Sequence, residues 1–206
     1  MEEKEYLKDL SEIRSIMEKS SRFISLSGLS GVMAGVYALV GAGVAYMIIY
    51  RSPYILYDSV RARELSPGVL LLFADALAVV VLAIVTGIFL TSRKAKKDGA
   101  TVWDAAARRL IVNLFIPLVA GGLFILVMYI RGYYSILAAL LLIFYGLALI
   151  NASKYTISDV RYLGFTEIAL GLLAALFPGY GLVFWTLGFG VMHVVYGIVM
   201  HFKYDR

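Results

Sequence analysis

The sequence predicts an all-α polytopic membrane protein, a bundle of six transmembrane helices preceded by an amphipathic helix, with both termini cytoplasmic. Three observations carry that prediction. The 206 residues are 61% hydrophobic with a mean hydropathy of +0.84, whereas soluble domains are about 45–50% apolar. Charges are nearly absent from six stretches, each close to the length that crosses roughly 30 Å of hydrocarbon. The 19 lysines and arginines also divide unevenly between the gaps. Arg51, Arg61, Arg63 and Arg131 fall in one set of alternating gaps; the other fifteen fall in the remaining gaps and the two ends. Such asymmetry orients a polytopic chain with its basic side in the cytoplasm.

Residues 1–22 form the first unit. Tyr6, Leu10, Ile13 and Met17 recur at helical spacing among charges, which predicts an amphipathic cytoplasmic helix over 4–22. It would lie on the bundle or the headgroups, or dock a cytoplasmic protein partner. Six acidic residues among the first 22, and no short apolar core with a cleavage site, argue against a cleavable signal.

Residues 23–206 form the six-span domain, with spans at about 24–50, 68–91, 109–130, 134–151, 161–177 and 182–200. Ser66 and Pro67 read as an N-cap and first helical residue for span two. Span three is expected to continue a helix beginning near Thr101, with Asp104 completing a variant capping box. Pro117 and the Gly121–Gly122 pair predict a kink in span three. Pro178, Gly179, Tyr180 and Gly181 predict a tight outer turn. Tyr46, Tyr50, Tyr54, Tyr57, Tyr129, Tyr133 and Tyr134 collect at the outer ends as an aromatic belt. In span one, Ser27, Gly31 and Gly35, and Ser30, Ala34, Ala38 and Ala42, form small-residue rows. These allow close helix packing within the bundle or in a homo-oligomer.

An ionisable side chain in lipid is costly unless neutralised or paired, so each is a candidate site. Three qualify: Asp75, Glu167 and His193. A hairpin folded about Tyr180 sets Glu167, thirteen residues before it, level with His193, thirteen after. Gly164, Glu167, Gly171 and Ala174 share one helix face; Thr186, Gly190, His193 and Gly197 share another, and the two stripes are expected to meet. Thr86, Asn113, Tyr145 and Asn151 fall at similar inner depth. The candidate ligand or ion site is therefore Glu167, His193, Asn113, Thr86 and Asp75. The alternative is a set of interhelical hydrogen bonds that only hold helices together, and both readings stand. Arg93, Lys94, Lys96, Lys97, Arg108 and Arg109 lie in the basic loop 93–109 and are expected to bind anionic lipid headgroups, making membrane lipids the first partner; a phosphate-bearing ligand is the alternative.

Several chemistries have no support. Cysteine is absent, and so are HExxH, P-loop and G-x-S-x-G motifs and carboxylate-rich metal clusters. No catalytic residue, metal site, cofactor or nucleic-acid partner is expected.

SRFISLSGLSG at 21–31, RRLIVNLFIPLVAGGLF at 108–124, IFYGLALINASKYTISDVRYLGFTEIALGL at 143–172 and GYGLVFWTLGFGVMHVVYGIVM at 179–200 resemble a family of uncharacterised bacterial six-span membrane proteins. The resemblance covers most of the chain. It implies the six-span architecture and a bacterial inner membrane, and implies no activity. The leading functional expectation is a non-enzymatic interaction or regulatory module. The alternative is a small transporter or channel with an inner-half site around Glu167 and His193; a lipid- or cofactor-dependent enzyme trails both.

Overall fold

Long apolar segments in lipid must satisfy their backbone internally, so they become helices. The computed structural model describes residues 22–51, 66–99 and 103–205. Six helices make up most of them: α1 Gly28–Arg51, α2 Pro67–Lys97, α3 Ala105–Ile130, α4 Tyr134–Tyr155, α5 Val160–Leu176 and α6 Gly181–Tyr204. Single 3₁₀ turns begin and end α4, and Thr186–Met192 within α6 is π-helical. All except α5 are long and apolar enough to cross a membrane; α5 has 17 residues and carries Glu167. Among the described residues there is no strand, only an isolated bridge between Phe23 and Thr156. The amphipathic helix expected over 4–22 lies outside the described residues, Arg22 excepted, as do Tyr54 and Tyr57.

Local chemistry sets the helix ends. Ser66 caps α2, its hydroxyl accepting from the Val69 amide at 3.4 Å, with Pro67 following. Asp104 is itself the N-cap of α3, accepting from the Ala107 amide at 2.6 Å. That corrects the start expected near Thr101: the carboxylate satisfies orphan amides directly instead of acting from the third position. Gly179, at φ +99°, makes the turn before α6. α3 runs unbroken through Pro117. A second correction concerns α2, which continues six residues past the expected end at 91. Arg93, Lys94, Lys96 and Lys97 thus stand on its last turns, where cations complement the helix dipole, and not in a loop.

Packing runs in the order α2, α1, α6, then the α4–α5 pair, then α3. α2 is peripheral: of its residues only Val69 and Ala95 are buried, while Leu71, Leu77, Val85, Ile88 and Phe89 are exposed, as a lipid-facing helix requires. Leu149, Ile157, Val160, Leu163 and Met200 form one core. Ala139, Leu142 and Ala174 form another nearer the opposite end.

Glycines decide the tightest contacts. Gly146 and Gly164 face one another across α4 and α5, each where the other's carbonyl leaves no room for a methyl group. Gly171 sits likewise against Ala139 and Ile143 of α4. Gly28, Gly31 and Gly35 of α1 approach Gly190, Gly197 and His201 of α6. The glycines of the α5 and α6 stripes therefore do not face each other as expected: those of α5 pack on α4 and those of α6 on α1, and the two stripes meet at Glu167 and His193.

One end of the bundle is cross-tied. Phe23 donates its amide to Tyr155 O at 2.8 Å, and Thr156 Oγ1 donates to Phe23 O at 2.5 Å. Phe23 packs on Ala106 and Ala107 of α3. Lys94 pairs with Asp205 and Lys203 with Asp159. These contacts join the starts of α1, α3 and α5 to the ends of α2, α4 and α6, an up-down arrangement.

Candidate functional site

Glu167, from the middle of α5, is 0% exposed and points at α6. Its Oε1 lies 3.5 Å from His193 Nδ1, and His193 is 6% exposed. Neither Glu167 oxygen has a hydrogen-bond partner. His193 Nδ1 is 3.0 Å from Gly188 O, and Nε2 is 2.8 Å from Tyr145 Oη. A carbonyl only accepts, so Nδ1 carries a proton and donates it; neutral Nε2 accepts from the Tyr145 hydroxyl. Phe189 stacks on the imidazole, with centroids 5.9 Å apart and planes 21° apart. Tyr145 and Trp185 flank Phe189 at 4.9 and 5.3 Å.

Two local features create this geometry. Gly188 lets the carboxylate reach α6, because a methyl group there would strike Glu167 Oε2 and Leu142. The π-helical stretch Thr186–Met192 runs through Gly188 and Phe189 and ends at His193. Such wide turns are rare, and frequent at functional sites.

Chemically, the cluster can hold a proton in two overall neutral arrangements: carboxylic acid with imidazole, or carboxylate with imidazolium. Each keeps net charge out of the low-dielectric interior. The titratable groups facing Glu167 are His193 from α6 and Tyr145 from α4.

The other candidate residues stand elsewhere. Asp75 of α2 lies against Gly41 of α1. Thr86 shares a hydrogen bond with Tyr37 of α1 at 3.1 Å. Asn113 donates to Arg109 O at 2.8 Å and accepts from Asn151 of α4, through its carbonyl at 2.9 Å and Oδ1 at 3.3 Å. Thr86 and Asn113 thus tie helix pairs, with hydrogen-bond partners other than Glu167. The polar residues expected at one depth divide among three places, Glu167 with His193 and Tyr145, Thr86 with Tyr37, and Asn113 with Asn151, and do not form one site. Gly188 was not among the sequence candidates, and Tyr145 was placed at the depth of Glu167 without being counted in the site. Gly188 lies outside the four-residue stripe, and only the π turn brings it to the carboxylate.

A second polar cluster ties the end of the bundle. Asp205 accepts from Lys94 Nζ at 2.6 Å, the Gly28 amide at 2.9 Å, and Ser27 Oγ at 3.4 Å. His201 Nδ1 lies 3.0 Å from the same carboxylate, and Lys94 also donates to Leu26 O at 2.9 Å. Burial alone would raise the Asp205 carboxyl. Hydrogen bonds from Lys94 and His201, with the Lys94 charge, outweigh it and hold the group below its ordinary range. Lys94 is therefore engaged inside the protein, which corrects its assignment as a headgroup ligand. Nearby, hydrogen bonding to Lys203 is the first cause holding Asp159 low, with Tyr204 adding to it.

Two cavities of about 300 Å³ lie away from Glu167. One is an apolar crevice between α1 and α6, bounded by Leu39, Tyr46, Leu182 and Thr186. The other adjoins the Asp205 cluster. Among the described residues no group of three or more metal-ligating side chains occurs. Comparison with protein-family models, curated proteins and solved structures finds no match.

Proposed function

We propose that this chain is a six-span integral membrane protein that acts as a non-enzymatic regulatory module, its α5–α6 contact set by protonation of the Glu167–His193–Tyr145 cluster. One observation carries the reading: a wholly buried carboxylate without a hydrogen bond, 3.5 Å from an imidazole. Leu142, also 0% exposed, packs beside it. Such a site takes a proton more readily than a solute, and the adjoining π turn supplies an element able to rearrange.

At 17 residues α5 is at the short end of lengths that cross hydrocarbon. Its close pairing with α4 at Gly146–Gly164 and Gly171 supports counting it as the sixth span. The cross-tied end gathers Arg93, Arg108, Arg109, Lys154, Arg161 and Lys203, which supports that end as cytoplasmic, with both termini inside. A place in the bacterial inner membrane, among the six-span proteins whose segments it resembles, belongs to the same proposal.

Solute transport through the same residues is the second reading, and the π turn favours it. It requires a path, and neither cavity is lined by Glu167, His193 or Tyr145.

The test uses the chain in lipid vesicles. Trp103 and Trp185 are its two tryptophans, so Trp103→Phe leaves Trp185, whose ring lies 5.3 Å from that of Phe189, as sole reporter. Its emission should titrate with pH, and Glu167→Gln should abolish the titration. An identical titration in the Gln variant sinks the proposal. Loss of proton or solute flux in that variant would favour transport.

A further inference from the structure

The cavity beside Asp205 has walls that change character along its length. On α2 it is lined by Leu90, Arg93, Lys94 and Lys97, one helix face at spacings of three, four and seven. From Leu90 to Lys97 the helix rises about 10 Å, from a leucine within the apolar stretch to the basic last turn. It meets Ser27, just before α1, Leu29 of α1, and His201 and Tyr204 of α6. One end is thus apolar, bounded by Leu29 and Leu90, and the other cationic.

The charges do not cancel. Lys94 and Asp205 neutralise each other, and Asp205 is occupied by its four donors. Arg93 and Lys97 remain, one turn apart and exposed, with Asp98 the only other carboxylate on the wall. Among the described residues neither Arg93 nor Lys97 makes an ion pair. A guanidinium and an ammonium one turn apart match the oxygens of one phosphate, the guanidinium in bidentate fashion.

We infer that the cavity between the start of α1 and the ends of α2 and α6 is a specific site for an anionic glycerophospholipid. Its phosphate lies between Arg93 and Lys97, and its glycerol and first acyl carbons lie against Leu29 and Leu90. The apolar end selects a lipid over a free phosphate, which would leave Leu29 and Leu90 uncovered. The site is narrower than general attraction of the basic rim to a membrane surface: Lys94 on its wall is neutralised by Asp205, and Lys96, Arg108 and Arg109 are not part of its wall.

The test is thermal unfolding of the delipidated full chain in neutral detergent, with added phosphatidylglycerol, phosphatidylcholine or inorganic phosphate. Phosphatidylglycerol should raise the midpoint saturably, and phosphatidylcholine and phosphate should not. R93Q/K97Q should weaken that response at least about tenfold, the equivalent of one to two charge-assisted contacts. R108Q/R109Q, which removes the same charge outside the cavity, should retain it. Equal losses in the two double variants would reduce the effect to general electrostatics and overturn the site. A response to inorganic phosphate equal to that to phosphatidylglycerol would assign a free-anion site and overturn the lipid. If R93Q/K97Q fails to fold, K97Q alone, at an exposed position, decides between the same outcomes.

Discussion

Glu167 Oε1 lies 3.5 Å from His193 Nδ1, although the two residues belong to different helices and sit thirteen positions on either side of Tyr180. A buried acid beside a buried base should behave as one energetic unit, because charge on either is tolerated in the interior only when the other balances it. A double-mutant cycle with Glu167→Gln and His193→Phe is therefore expected to show coupling of about 0.5–3 kcal/mol. Unfolding in mixed micelles measures it. Additivity within about 0.3 kcal/mol would show that the two side chains are merely neighbours.

Gly188 is the position on which this contact depends sterically. Gly188→Ala should destabilise the fold by about 1–3 kcal/mol, since the new methyl group overlaps both Glu167 Oε2 and Leu142. Combining it with Glu167→Ala, which removes one obstacle, should recover part of the loss. If Gly188→Ala is neutral by the same unfolding assay, the close approach of α5 to α6 is not constrained there.

Much of the architecture was legible because it rests on local chemistry. Ser66–Pro67 specifies a helix start whatever surrounds it, and Pro178–Gly181 specifies a turn. The Glu167–His193 contact was also legible, since a tight turn fixes the register of the two helices it joins. Helix partners were not. The glycines on α1, α4, α5 and α6 are chemically alike, so spacing could not reveal that Gly164 answers Gly146 while Gly197 answers Gly28. Lys94 looked like any other residue of a basic run. Its partner Asp205 is 111 positions away, and only the folded chain brings the two together. The π turn had no signature because no residue type demands it.

Asp205 is expected to control the cross-tied end. Its carboxyl is held below the ordinary range, so its stabilisation is fully present above the unfolded-state value of about 3.9 and is lost as pH falls through the lower folded value. Asp205→Asn should cost about 2 kcal/mol near neutral pH, where a charge-assisted bond to Lys94 is lost. The variant should then lack the acid-dependent loss that the parent shows below about pH 4. Lys203→Ala, at a side chain 54% exposed, should cost less than about 1 kcal/mol. Unfolding followed across pH compares all three, and an Asp205→Asn curve parallel to the parent's would remove Asp205 from this role.

The α4–α5 pair supplies the last expectation, with its own control. Gly146 and Gly164 each face the other's carbonyl oxygen, whereas Gly87 of α2 and Gly122 of α3 have nothing within 4 Å of an added Cβ. Gly→Ala in an open helix removes backbone freedom from the unfolded chain and should stabilise by about 0.5–1 kcal/mol. At Gly146 or Gly164 the same change must push two backbones apart, and should cost about 1–3 kcal/mol instead. Close approach between small residues is what holds helices together where lipid offers no hydrophobic drive. The double variant Gly146→Ala/Gly164→Ala should be less than additive, because one separation of the helices relieves both clashes. Unfolding of the four single variants and the double decides it; Gly146→Ala and Gly87→Ala shifting stability in the same direction would mean that α4 and α5 are not in backbone contact.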